Sequence, residues 1–123
     1  MTRILVIDDN RDIRDSLREI LECKGYEVTT AIDGNEGYRM FQKERVDLII
    51  MDIVMPGKDG LETIWDMRKE VPDVKIIAIS GGIRSGKGDL YLELSRKMGV
   101  KYSMEKPLDI DKLLSFVEEL AGK

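Results

Sequence analysis

The reactive side chains of this sequence fall into one suggestive set: Asp8, Asp9, Asp52, Ser80 and Lys106. Asp8 and Asp9 follow the apolar run Arg3-Ile4-Leu5-Val6-Ile7, and Asp52 follows Leu48 to Met51. Ser80 follows Val74 to Ile79, and Lys106 follows the more polar run Val100 to Met104. Each thus ends a strand-like segment, and in an open parallel sheet that edge faces a crevice where ligands bind. Three carboxylates held close repel one another and raise one another's pKa unless a divalent cation neutralises them. A hard, oxygen-preferring ion is implied, and Mg2+ takes a few carboxylates, waters and phosphate oxygens. With a lysine and a hydroxyl alongside, the set describes a phosphoryl site. Asp52, alone at a central strand end, suits a nucleophile facing the metal-binding pair Asp8 and Asp9. Lys106 then offsets phosphoryl charge and Ser80 donates a hydrogen bond. Two plainer readings compete: aspartate often ends a strand as a turn former, and acid clusters can simply pair with nearby Arg and Lys. The gathering of all five groups at one edge favours the chemical reading.

The elements that must position these groups alternate along the chain. After the first strand, Asn10 opens a helix with Ile13, Leu17, Ile20 and Leu21 on one face, Arg11, Arg14, Arg18 and Glu19 on others, and a stop at Lys24-Gly25. Tyr26 to Ala31 reads as a second strand, and Asp33-Gly34 turns into a short helix carrying Gly37, Tyr38, Met40 and Phe41. The third strand, from Val46, meets the breakers Pro56, Gly57 and Gly60 just past Asp52. Leu61, Ile64, Trp65 and Met67 form a third helical stripe, closed by Val71-Pro72-Asp73 before the fourth strand. The loop Gly81 to Gly88 precedes a helix holding Leu90, Leu92, Leu94 and Met98, which Gly99 caps. After the fifth strand and Lys106-Pro107, Ile110, Leu113, Leu114, Val117 and Leu120 make a last amphipathic helix. Near-continuous apolar strands alternating with helices predict an α/β fold, a doubly wound parallel sheet of five strands covered by five helices.

At 123 residues and 42% hydrophobic content, residues 1–123 suit one domain with one core. The charged fraction is 36%, but the signs are mixed and the net charge is −4, so no broad basic field for direct nucleic-acid binding is implied. Cys23 is the lone cysteine and cannot form an internal disulfide. No signal-peptide pattern and no apolar run of membrane-spanning length occurs, so a soluble cytoplasmic protein without membrane association is expected. The absence of histidine excludes His-based nucleophilic, metal or proton-shuttle chemistry within the chain.

Taken jointly, Asp8-Asp9, Asp52 with Met55-Pro56-Gly57 and Asp59-Gly60, Ser80-Gly81 and Lys106-Pro107 resemble the receiver domains of bacterial two-component response regulators, over essentially the whole chain. The resemblance implies a flavodoxin-like fold with strand order 2-1-3-4-5. It implies that Asp52 accepts a phosphoryl group from the phosphohistidine of a sensor histidine kinase or phosphotransfer protein. Asp9 and Asp52 would bind Mg2+ directly, Asp8 partly through water, and the backbone carbonyl of Val54 would complete the protein ligands. Lys106 and Ser80 would contact the phosphoryl group, and the Lys106-Pro107 peptide would be cis. A downstream protein target would engage the face formed by the fourth helix, fifth strand and fifth helix, with Tyr91, Lys101 and Tyr102 on or near it.

The sequence departs from the family's pattern in two places. Three residues before Lys106, where an aromatic ring is usual, stands Ser103, with Tyr102 one position earlier. Val54 and Gly82, two residues beyond Asp52 and Ser80, offer no polar side chain to hold an attacking water. Either the chain signals alone by docking or it is one piece of a longer protein. Rival readings fit less well. Gly81 to Gly88 nearly spells a Walker A loop but has Gly88 where a Mg2+-binding hydroxyl should be. A phosphatase of the haloacid dehalogenase type needs Asp-x-Asp after the first strand, and Asn10-Arg11 does not supply the second acid. An unphosphorylated receiver-like interaction module would lack some of Asp9, Asp52 and Lys106.

Overall fold

The computed structural model describes residues 2–54, 60–81 and 88–122. Five strands alternate with five helices: β1 (Arg3–Ile7), α1 (Arg11–Cys23), β2 (Glu27–Ala31), α2 (Gly34–Lys43), β3 (Leu48–Asp52), α3 (Gly60–Glu70), β4 (Ile76–Ser80), α4 (Gly88–Lys97), β5 (Tyr102–Glu105) and α5 (Ile110–Ala121). All strand pairs are parallel, in the order β2-β1-β3-β4-β5. This is the doubly wound, flavodoxin-like arrangement that the alternation of apolar runs and helical stripes predicts.

Strand alternation divides the core between two faces. On one, Ile4, Val6, Leu48, Ile50, Ile77 and Ile79 pack against Leu17 and Leu21 of α1 and Leu113 and Val117 of α5. On the other, Leu5, Ile7, Ile49, Met51, Ile76 and Ala78 meet Ile64 and Met67 of α3 and Leu92 of α4. Full burial of one such aliphatic side chain stabilises the fold by about 1.5–3 kcal/mol, which explains why β3 and β4 carry no polar residue before their last position. Side-chain caps start three helices: Asn10, Asp33 and Asp109 accept from the amides of Ile13, Glu36 and Lys112. Gly25, Gly99 and Gly122 take positive φ angles past the ends of α1, α4 and α5.

The structure adjusts several details of the expected pattern. Val100 belongs to the close of α4, its amide bonded to the Ser95 carbonyl, so β5 starts at Tyr102. The same happens at α1, where the Tyr26 amide bonds to Leu21 and β2 starts at Glu27. Trp65 and Leu90, assigned to apolar stripes, are 60% and 56% exposed, while Thr63 and Ser95 are fully buried. The Ser95 hydroxyl is accommodated by donating to the Leu92 carbonyl at 2.7 Å. Arg68 ties three elements together, donating to the carbonyls of Pro72, Val74 and Gly99. Among the described residues no helix is long and apolar enough to cross a membrane.

Candidate functional site

Because all five strands run the same way, their last residues meet at one edge, and four of the five nominated side chains approach one another there. Asp8 leaves β1 after its amide has made a ladder bond to Ala31, and its Oδ1 accepts the amide of Asn10 at 2.8 Å. Asp52 is the last residue of β3, and its Oδ1 accepts the amide of Val54 at 2.9 Å. Both carboxylates are almost completely buried, while Asp9 is exposed. A carboxylate oxygen from each of Asp8, Asp9 and Asp52 lies within 4.8 Å of the others. Lys106, carried past β5 on a backbone bond from its amide to the Ser80 carbonyl, reaches both buried acids. Its Nζ donates to Asp52 Oδ2 at 2.9 Å and stands 3.0 Å from Asp8 Oδ2. The Lys106-Pro107 peptide is cis.

The electrostatics follow from this crowding. Burial raises the Asp8 carboxyl above its ordinary value; the Asn10 amide opposes the shift and the Asp52 charge adds to it. Burial likewise raises Asp52, against the hydrogen bonds from the Val54 amide and Lys106. For Lys106 burial works against the charged form, but the two carboxylates together win and its pKa is raised. Lys106 is therefore a firm ammonium shared between two acids.

One further positive group would complete the balance. Asp8 Oδ2 is buried and, despite the ion pair, has no hydrogen bond, an arrangement that is costly for a carboxylate. Three carboxylates face one ammonium among the described residues, and every donor atom offered is a hard oxygen. The residues present fit a divalent cation of the Mg2+ type.

Ser80 is fully buried at the end of β4. Parity places it on the α3 and α4 face with Ile76 and Ala78. Parity also settles the aromatic question. Tyr102 shares the opposite face with Met104 and stacks on Phe116 of α5, centroids 4.1 Å apart and planes within 5°. β5 pairs with β4 without interruption from Tyr102 to Glu105, so no irregularity turns Tyr102 toward Ser80. Ser103, opposite Ala78, occupies the face that Tyr102 does not. Lys101 lies over the Tyr102 ring and pairs with Glu119 of α5, so Lys101 and Tyr102 do belong to the α5 side of β5.

Two contacts at this edge escape a sequence reading. Gly60 opens α3 directly against the backbone beyond Asp52; a Cβ there would stand 2.9 Å from the Asp52 carbonyl oxygen and within collision distance of Ile53. Arg14, assigned to an outer face of α1, instead sends Nη1 to the Asp8 carbonyl at 2.8 Å. The available signal was its place in the first turn of the helix, since long helical side chains point back toward the N-terminus. Met55-Pro56-Gly57 and Asp59, Gly82 to Lys87 of the glycine-rich loop, and the side chain of Tyr91 lie outside the described residues.

A buried acid with two further acids and a lysine at the carboxyl edge of this sheet is the arrangement a phosphoryl-binding α/β domain requires. Residues 4–118 match the model of the response regulator receiver domain, and the chain belongs to that family. It is 40% identical over 117 residues to the CAI-1 autoinducer sensor kinase/phosphatase CqsS of Vibrio cholerae, covering 94% of this chain and 17% of that protein. A CheY-like receiver domain protein from Methanospirillum hungatei superposes with a TM-score of 0.90 at 30% identity, over 99% of this chain and 94% of that one. Response regulator TrrA from Thermotoga maritima, solved in complex with Mg(2+)-BeF, gives a TM-score of 0.82 at 37% identity, over 98% and 99% of the two chains. The chain spans about half the length, or less, of the curated relatives it matches. It is a signalling phosphoacceptor domain of the two-component type.

Proposed function

We propose that Asp52 is the phosphoacceptor and that residues 1–123 act as one receiver domain. The observation that carries this is the buried Asp52 carboxylate, 2.9 Å from Lys106 and beside two further acids. In the transfer, one Asp52 oxygen attacks the phosphorus of a phosphohistidine; the new P–O bond forms as the P–N bond breaks, and the imidazole nitrogen keeps the electron pair. The Val54 amide and Lys106 orient the carboxylate, and Lys106 offsets the charge of the incoming phosphoryl oxygens. Ser80 donates to one of those oxygens. Asp9, Asp52 and the Val54 carbonyl would hold Mg2+ directly and Asp8 partly through water, and the ion when bound would neutralise the acids and the transferring group. The domain therefore catalyses only its own phosphorylation and dephosphorylation. Its dephosphorylation is slow, because apolar Val54 offers no hydrogen bond to a water in line with the acyl phosphate.

The phosphoryl donor is a sensor histidine kinase or phosphotransfer protein in the cytoplasm. Similarity to part of a protein named as a sensor kinase/phosphatase, CqsS, supports that class of donor. The output is a protein target docking on the face of α4, β5 and α5, with no direct contact to nucleic acid or membrane. Incubation with acetyl phosphate, followed by intact mass, tests the reading. One phosphoryl group is expected to add only with Mg2+ present, not to Asp52→Ala, and to decay faster from Val54→Asn. Normal labelling of Asp52→Ala would overturn the assignment.

A further inference from the structure

We propose that Arg14 is a positioning residue for the cation site, acting through the peptide that joins Asp8 to Asp9; the inference rests on the reading of these acids as Mg2+ ligands. Arg14 is half-buried on the first turn of α1, and its guanidinium donates to the Asp8 carbonyl at 2.8 Å. That carbonyl belongs to the Asp8–Asp9 peptide, so the bond sets the plane from which the Asp9 side chain departs. Asp8 has other anchors: the ladder bond of its amide, the Asn10 amide on Oδ1, and Lys106. Asp9 has none, since its exposed carboxylate makes no hydrogen bond or ion pair among the described residues. Its place within 4.8 Å of the other two acids is therefore inherited from the backbone. The backbone beyond it is held at Asn10, whose side chain caps α1 and whose amide is bound by Asp8. Among the described residues, the Arg14 bond is the contact that restrains the Asp8–Asp9 peptide at its carbonyl.

A fixed guanidinium near a cation site has two effects of opposite sign. Its charge repels the ion, so removing it would tighten binding. Its hydrogen bond holds a ligand in place, so removing it would weaken binding. The partner atom decides between them: the charge is engaged by a carbonyl oxygen and the bond falls on the ligand-bearing peptide.

The test is Mg2+ titration calorimetry without phosphodonor on the wild type, Arg14→Met, Arg14→Lys, Asp9→Asn and the Arg14→Met, Asp9→Asn double variant, with a thermal melt of each. Arg14→Met is expected to weaken Mg2+ about tenfold, and Arg14→Lys, which keeps a donor, to weaken it less. In the Asp9→Asn background, Arg14→Met is expected to add little, because both changes remove the same contribution. Unchanged or tighter binding in folded Arg14→Met, or an equal loss in the Asp9→Asn background, would overturn the proposal. If Arg14→Met does not fold, wild-type affinity in Arg14→Lys with its shorter reach and single ammonium would do so. A wild type that binds no Mg2+ would instead remove the reading of the acids as ligands, and this inference with it.

Discussion

On one side of β5, Tyr102 lies flat against Phe116, and Met104, Ile77 and Ile79 continue a wall of large side chains into α1 and α5. On the other side, Ser103 stands opposite Ala78, Ser80 ends the neighbouring strand, and α4 turns the small Ser95 into the core beside Leu92. The first face is close-packed, and from α1 Arg14 reaches the Asp8 carbonyl. The second carries large side chains on β1 and β3 but small ones, Ala78, Ser80, Ser103 and Ser95, where β4, β5 and α4 meet. Close-packed interiors transmit displacement as a block, whereas small residues leave neighbours room to take a second arrangement. A signal from Asp52 should therefore leave by way of Ser80 and α4, not through an aromatic ring on β5.

The largest expected effect is on that route. Phosphorylation shifts an equilibrium only through a contact that differs between two states, and the Ser80 hydroxyl is the group placed to make it. Ser80→Ala is expected to accept phosphate on Asp52 yet lose the phosphorylation-induced change in amide exchange across residues 88–98. Tyr102→Ala is expected to keep that response while losing about 2 kcal/mol of stability, less than a fully buried ring would cost. The opposite pattern would break the contrast between the two faces.

Gly60 marks where the second face is tight, because there α3 stands against the backbone of Asp52 and Ile53 and against the Ile53 side chain, with no space for a Cβ. Gly60→Ala is expected to cost about 3 kcal/mol in urea denaturation, the upper range for overpacking. A near-neutral result would mean that this corner also has room to move.

The smallest effect concerns pH. Asp8 and Asp52 have raised pKa values because burial disfavours their charge, so the folded protein holds these protons more tightly than the unfolded chain. Their ionisation thus works against folding: the penalty is complete above the folded pKa, shrinks as pH falls through it, and is gone below the ordinary value of 3.8. In chelator, the wild type is expected to gain stability relative to Asp52→Asn between neutral and mildly acidic pH, and to gain less with Mg2+ present. Denaturation midpoints that move in parallel for the two proteins would contradict this.

Much of the fold and site was legible without coordinates because it is written in local patterns. Apolar runs of strand length, breakers and capping residues mark each element, and parallel topology alone brings Asp8, Asp9, Asp52 and Lys106 to one edge. The misreadings share a cause. Trp65 and Leu90 carry the chemistry of core residues, yet exposure depends on which flank of a helix a neighbouring element covers, and the covered flanks also take in Thr63 and Ser95, which no sequence pattern singled out. Ser103 in place of an aromatic signals an altered switch, yet whether Tyr102 could substitute was decided by the uninterrupted pairing of β5 with β4, which commits each residue to one face.

The amino-acid order by itself determined the succession of elements, the acids at the strand ends and the missing aromatic, since these depend on residue type and on spacing over a few positions. Only the tertiary structure decided that Lys106 bridges Asp8 and Asp52, that Asp8 Oδ2 has no hydrogen bond, that Gly60 touches the backbone beyond Asp52, and that Arg14 turns back to the Asp8 carbonyl. The Lys106 contacts join segments far apart in the chain, the Arg14 and Gly60 contacts bridge neighbouring elements, and all depend on directions acquired only after packing has fixed the strands and helices that carry them.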